Sequence, residues 1–128
     1  MKKKIMIIDD EESCALMLKA RLERSGDYEA MALFEAKDII SHLHDFKPNV
    51  ILLDLLMHGT DGLDACDMLN NDPLGRSIPV IIISGLDRKT DKIEAFKSGV
   101  IDYLVKPVDD AKLLEAIAKA IEYKSEQF

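Results

Sequence analysis

The 128-residue sequence predicts an α/β domain in which a parallel five-stranded sheet, in order 2-1-3-4-5, is doubly wound by five helices. Three observations carry this reading. Short runs of branched apolar residues recur along the chain, each apolar on both faces, as strands covered on both sides require. Segments with helical spacing separate them. Glycines stand where two of those helices should stop.

The first run, Ile5 to Ile8, is preceded by three lysines and ended by Asp9 and Asp10. Cys14, Leu18 and Leu22 then recur at helical spacing, and Gly26 offers a left-handed stop. Tyr28 to Leu33 is less apolar and suits an edge strand. Ile39, Ile40 and Leu43 mark the second helix, and Val50 to Leu53 the third strand. Val80 to Ile83 forms the fourth strand. Ile93 and Phe96 set the inward stripe of a fourth helix that Gly99 ends, and Val100 to Val105, with Asp102 inside it, forms the fifth strand. The last helix begins near Asp109. It places Leu113, Leu114, Ile117 and Ile121 on one face and leaves Lys112, Glu115, Lys119 and Glu122 on the other.

One domain is what this length accommodates, and a 48% hydrophobic, 32% charged composition is that of an ordinary globular chain. A formal charge of −7 repels nucleic-acid phosphates and anionic lipid, so no direct nucleic-acid or membrane partner is expected. No stretch approaches the ~20 apolar residues of a membrane span, and Lys2 to Lys4 precede too short an apolar run for a signal peptide. A cytoplasmic location is therefore expected. Cys14 and Cys66 suit neither a disulfide framework nor a zinc site and read as reduced core residues. His42, His44 and His58 lack metal spacing and read as surface residues without assigned function.

In a sheet of this order, ligands sit beyond the carboxyl ends of the strands, at the switch point between strands 1 and 3. The residues that follow the strands are Asp9, Asp10 and Glu11, then Asp54, then Ser84, then Lys106-Pro107. Carboxylates gathered at one edge repel one another unless a hard cation holds them, and oxygen ligands of this kind suit Mg²⁺. A lysine and a hydroxyl opposite the metal would neutralise and orient a tetrahedral oxyanion attached to Asp54. Taken singly, each feature has a plainer explanation: the acids could cap the first helix, and Asp54 and Lys106-Pro107 could be turn residues.

Jointly, these segments closely resemble the receiver domain of two-component response regulators. The matching stretches are Ile7-Ile8-Asp9-Asp10-Glu11, Leu53-Asp54-Leu55-Leu56-Met57 with Asp61-Gly62, Ile83-Ser84-Gly85, and Asp102-Tyr103-Leu104-Val105-Lys106-Pro107. The gaps from Asp10 to Asp54, on to Ser84 and on to Lys106 are those usual in single-domain receivers. The resemblance implies a flavodoxin-like (βα)5 fold over residues 1–128, with no output domain among them. It implies that Asp54 is the phosphoacceptor and that Asp10 binds Mg²⁺ (or Mn²⁺) directly, with Asp9 acting through water and the Leu56 carbonyl as a further ligand beside Asp54. Ser84 corresponds to the hydroxyl that moves onto the phosphoryl group, Lys106 to the lysine that pairs with it, and Tyr103 to the aromatic that changes rotamer with the hydroxyl. Pro107 corresponds to a proline that often follows a cis peptide bond.

The implied partners are a sensor histidine kinase or histidine phosphotransfer protein as donor, and a downstream effector or covalently linked output domain as receiver of the signal. The signal would leave through the face of the fourth helix, fifth strand and fifth helix. His58 and Thr60 depart from the family pattern next to the acceptor, Gly85 replaces the usual alanine, and Leu56 and Leu86 hold the positions that flank the water path to the acyl phosphate. The rivals are weaker. An aspartyl-phosphate phosphatase of the haloacid-dehalogenase kind needs an acid where Leu56 stands. A flavin carrier would have its phosphate repelled by Asp9-Asp10-Glu11. A receiver-like binding module that has lost phosphorylation would lack an acid or the lysine, and both are present.

Overall fold

The structure is a computed structural model, and it describes residues 1–57 and 61–126. Along the chain run β1 (Lys3–Ile8), α1 (Glu12–Arg24), β2 (Tyr28–Leu33), α2 (Ile39–Phe46), β3 (Val50–Leu53), α3 (Gly62–Asn70), β4 (Val80–Ser84), α4 (Lys89–Lys97), β5 (Asp102–Val105) and α5 (Asp110–Glu126). Short 3-10 turns precede α2 and β4. All four strand pairs are parallel and the order is β2-β1-β3-β4-β5, as the sequence predicts.

Strand alternation divides the apolar residues between two cores. Ile5, Ile7, Val50, Leu52, Ile81 and Ile83 face α1 and α5, and pack with Leu18, Leu22, Leu113 and Ile117. Met6, Ile8, Ile51, Leu53 and Ile82 face the opposite way and pack with Ile39, Leu43, Cys66 and Leu69. Every side chain of β3 is buried. At about 1.5–3 kcal/mol for each fully buried branched aliphatic side chain, that strand and β4, which is likewise buried throughout, anchor the middle of the sheet. Gly26 and Gly99 take the left-handed conformation, with φ of 85° and 97°, that the helix-stop reading required.

Three sequence expectations need correction. Ile93 and Phe96 do not face the core: both are exposed, and Ala95 is the residue that α4 buries. With few apolar residues in that helix, spacing alone selected the wrong side. Cys14 is half-buried rather than in the core, whereas Cys66 is fully enclosed, and burial pushes its thiol up to about 12. The stripe of α1 runs through Ala15, Leu18 and Leu22 instead. The fifth strand begins at Asp102, since Val100 and Ile101 belong to the approach from the Gly99 turn. His44 is on the surface as expected but is not without a partner. Its Nε2 lies 2.9 and 3.1 Å from the two carboxylate oxygens of Asp72, whose Oδ2 also accepts the Leu74 and Gly75 amides.

Candidate functional site

The carboxyl ends of β1, β3, β4 and β5 form one rim, and the chemistry-bearing residues lie along it. Asp9 and Asp54 directly follow the adjacent strands β1 and β3. The backbone carries that adjacency one step further, because the Asp54 amide donates to the Ile8 carbonyl at 3.0 Å. Both carboxylates are buried. Ser84 is the last residue of β4, and its carbonyl accepts the Lys106 amide at 2.8 Å, which brings Lys106 to the same rim from β5.

Lys106 closes the cluster. Its Nζ donates to Asp9 Oδ2 at 2.8 Å and to Asp54 Oδ2 at 3.1 Å. Burial alone would lower the ammonium's pKa, but the bonds to Asp9 and Asp54 outweigh it and hold the pKa raised, so the charged form is favoured. Asp54 is pulled the other way. Burial raises its pKa, and the Leu56 amide, which donates to Oδ1 at 3.0 Å, together with Lys106 only partly offsets this. A carboxylate in that state gains from any further positive charge. The other oxygen of the Asp9 carboxylate bonds locally, with Oδ1 accepting the Glu11 amide at 3.0 Å. The capping explanation for the acids loses ground here, because the N-cap of α1 is Glu11 and no side-chain bond caps that helix.

Asp10 follows Asp9 at the end of β1 and is half-buried. Ser84 is fully buried, and its hydroxyl accepts the Leu86 amide at 3.2 Å. Tyr103 is turned inward, and its phenol donates to the Leu86 carbonyl at 2.7 Å; burial raises the pKa of that phenol while the neighbouring Ser84 hydroxyl acts in the opposite direction. Leu86, in the loop after β4, thus links Ser84 at the end of β4 to Tyr103 of β5 through its amide and carbonyl. Leu56 is exposed beside Asp54 and Leu86 is partly buried. Gly85 has open space around its Cα. The Lys106-Pro107 peptide is cis. His58 and Thr60 lie outside the described residues.

A hard divalent cation fits the donor chemistry of this rim. Two buried carboxylates from adjacent strands each present an oxygen to one positive group, at present the Lys106 ammonium. Among the described residues no cluster of three or more His, Cys, Asp or Glu side chains forms a ready-made cage. The acids are drawn to the lysine instead.

Two features of the site carry a signal that the sequence reading did not turn into a role. Asp61 caps α3, with Oδ1 accepting the Leu63 and Asp64 amides at 2.7 and 3.0 Å. Gly62 donates its amide to the Leu55 carbonyl at 3.0 Å. An acid followed by glycine at the start of a helical pattern is a capping signal, and it follows the turn after Asp54. The Leu86 carbonyl has no such signature, because a backbone acceptor is invisible in a sequence.

Comparison with known proteins agrees with this geometry. The sequence pattern of the family described as "Response regulator receiver domain" matches residues 5–118. The chain is 34% identical over 124 residues to "Response regulator PleD" of Caulobacter vibrioides, covering 97% of this chain and 27% of that protein, so it spans about a quarter of that relative's length. It is 36% identical over 114 residues to "Protein PilH" of Pseudomonas aeruginosa, covering 89% of this chain and 93% of the relative. The fold superposes on a "response regulator receiver domain protein (CheY-like)" from Methanospirillum hungatei with a TM-score of 0.89 over all of both chains, at 22% identity. Family match, identity and fold thus point the same way: the chain belongs to the receiver domains of two-component response regulators.

Proposed function

We propose that the chain is a phosphorylation-activated switch that accepts a phosphoryl group on Asp54 from a histidine kinase or histidine phosphotransfer protein. The observation that supports it most is the bridging ammonium of Lys106, which joins Asp54 to an acid of the neighbouring strand. A carboxylate oxygen of Asp54 attacks phosphorus, the bond from phosphorus to the donor's imidazole nitrogen breaks, and an acyl phosphate forms. Lys106 follows the charge that moves onto the phosphoryl oxygens, and the Leu56 amide holds Asp54 Oδ1 so that the other oxygen is presented to the donor. Asp9, Asp10, Asp54 and the Leu56 carbonyl are the groups that would hold Mg²⁺ or Mn²⁺. Such an ion, when bound, neutralises the carboxylates and the incoming phosphoryl oxygens.

The readout begins at Ser84. A phosphoryl oxygen accepts the Ser84 hydroxyl proton, and drawing that hydroxyl toward the phosphoryl group stretches its bond from the Leu86 amide, while Tyr103 is tied to the same loop through the Leu86 carbonyl. Rearrangement there reaches the face of α4, β5 and α5, where a partner protein or linked output domain docks. In this reading residues 1–128 are a single receiver unit working in the cytoplasm. No helix among the described residues is long and apolar enough to cross a membrane.

The test is direct. Incubation with Mg²⁺ and acetyl phosphate should add the mass of one phosphoryl group to the wild type and none to Asp54→Asn. An unchanged wild-type mass, or a gain that survives Asp54→Asn, would overturn the assignment.

A further inference from the structure

Gly62 is the first residue of α3, and glycine is a poorer helix former than alanine. Its φ is not in the left-handed range, so backbone freedom does not explain it. Space does. A Cβ at Gly62 would lie 2.6 Å from the Leu55 Cα, 2.7 Å from the Asp54 carbonyl oxygen and 2.8 Å from Leu55 Cδ2. Carbon atoms make contact at about 3.5 Å, so the clash is close to 1 Å deep, and its first two partners are backbone atoms that cannot rotate away.

We propose that Gly62 is a positioning residue for the acceptor: its missing side chain lets the first turn of α3 close on the Asp54–Leu55 backbone and fix where the Asp54 carboxylate stands. This rests on the reading of Asp54 as acceptor. Both sides of the contact are held. The acceptor turn hangs from buried β3 and from the Ile8 carbonyl, and the Leu56 amide grips Asp54 Oδ1. The helix is held by the Asp61 cap, by the Gly62 amide on the Leu55 carbonyl, and by Ala65, Cys66 and Leu69 in the core. A methyl group at position 62 therefore moves the acceptor turn, the helix start, or both. Displacements of about 1 Å at a reacting group lower rates by up to ~100-fold.

Gly75 supplies the control. A Cβ there would lie 2.6 Å from the Leu69 carbonyl oxygen, an equally severe backbone clash, but at the far end of α3 in the turn leading to β4. Phosphorylation of Gly62→Ala and Gly75→Ala is followed by intact mass with acetyl phosphate and Mg²⁺, at a temperature where circular dichroism shows both folded. Amide exchange at Leu56 is measured without metal or donor. Gly62→Ala should lower the maximal phosphorylation rate at least ~10-fold with little change in the half-saturating donor concentration, and should speed exchange at Leu56. Gly75→Ala should do neither despite a comparable fall in melting temperature.

Equal slowing in both variants, or a wild-type rate with unchanged Leu56 exchange in Gly62→Ala, overturns the proposal. If the wild type takes up no phosphate, the acceptor reading fails, and Leu56 exchange still decides whether Gly62 positions the turn. If Gly62→Ala does not fold, Asp61→Ala frees the helix start without a clash. It should then slow phosphorylation and speed Leu56 exchange, and no change in either overturns the proposal.

Discussion

Replacing Lys106 with methionine keeps the aliphatic stem and removes the charge that Asp9 and Asp54 share. The side chains of the two acids are 3% and 8% exposed and that of the lysine 25%, so the variant leaves two carboxylates close together with little water. Removing one partner of a buried ion pair costs about 3–5 kcal/mol, and the partial exposure of Lys106 reduces this to about 2–4 kcal/mol near neutral pH. In metal-free urea denaturation, with a slope of about 1–2 kcal/mol/M for a chain of this size, the midpoint should fall by about 1–4 M.

The pH dependence has a definite sign. The raised pKa of Lys106 means that its contribution is fully present below the ordinary lysine value and is lost only as pH rises through the folded value. The raised pKa of Asp54 means that its contribution is present below the ordinary carboxylate value and is lost as pH rises through its folded value. Without the ammonium the folded Asp54 holds its proton still more tightly. The cost of Lys106→Met should therefore be small near pH 4 and grow toward neutrality, and Asp54→Asn in the Lys106→Met background should recover part of it. A midpoint shift worth less than ~0.5 kcal/mol, or one equal at both pH values, would refute the shared-ammonium account.

Leu56 lies exposed beside Asp54, the proposed acceptor, and replacing it with asparagine should put a polar group where water approaches and speed loss of a phosphoryl group placed there several-fold; an unchanged lifetime by mass or radiolabel would count against a shielding role. Under native conditions a thiol reagent should modify Cys14 well before Cys66, and equal rates would contradict the burial that raises the Cys66 thiol to about 12. Lys47 ends α2 with φ of 53°, so Lys47→Gly should stabilise the fold by up to ~1 kcal/mol by chemical denaturation; destabilisation would show that the lysine side chain contributes more than its backbone strain costs.

Much of this was legible in the sequence where a single rule governs a residue. β2 and β3 occupy the predicted spans because flanking turns and an apolar run of strand length leave little choice. The rim acids, Ser84 and Lys106 were legible because each directly follows a strand, and parallel strands deliver their carboxyl ends to one side. α4 was misread because Ile93 and Phe96 are three apart whichever way the helix turns, and only the tertiary structure shows Ala95 to be the inward residue. The division of Lys106 between Asp9 and Asp54 depends on register between distant strands, so no local pattern encodes it. The Tyr103 bond to the Leu86 carbonyl and the crowding at Gly62 are likewise matters of fit between backbones.

The outward turn of Ile93 and Phe96 has a mechanical consequence. Ala95 is the one residue that α4 buries in the core, with Lys92 lying over the Tyr103 ring of β5 at 5.9 Å, whereas α3 and α5 are each seated by several residues in the core. Lifting α4 exposes little new apolar surface, so of the helices in the molecule it rests in the shallowest energy well. A pull on the loop that precedes it should therefore shift α4 more readily than α3 or α5.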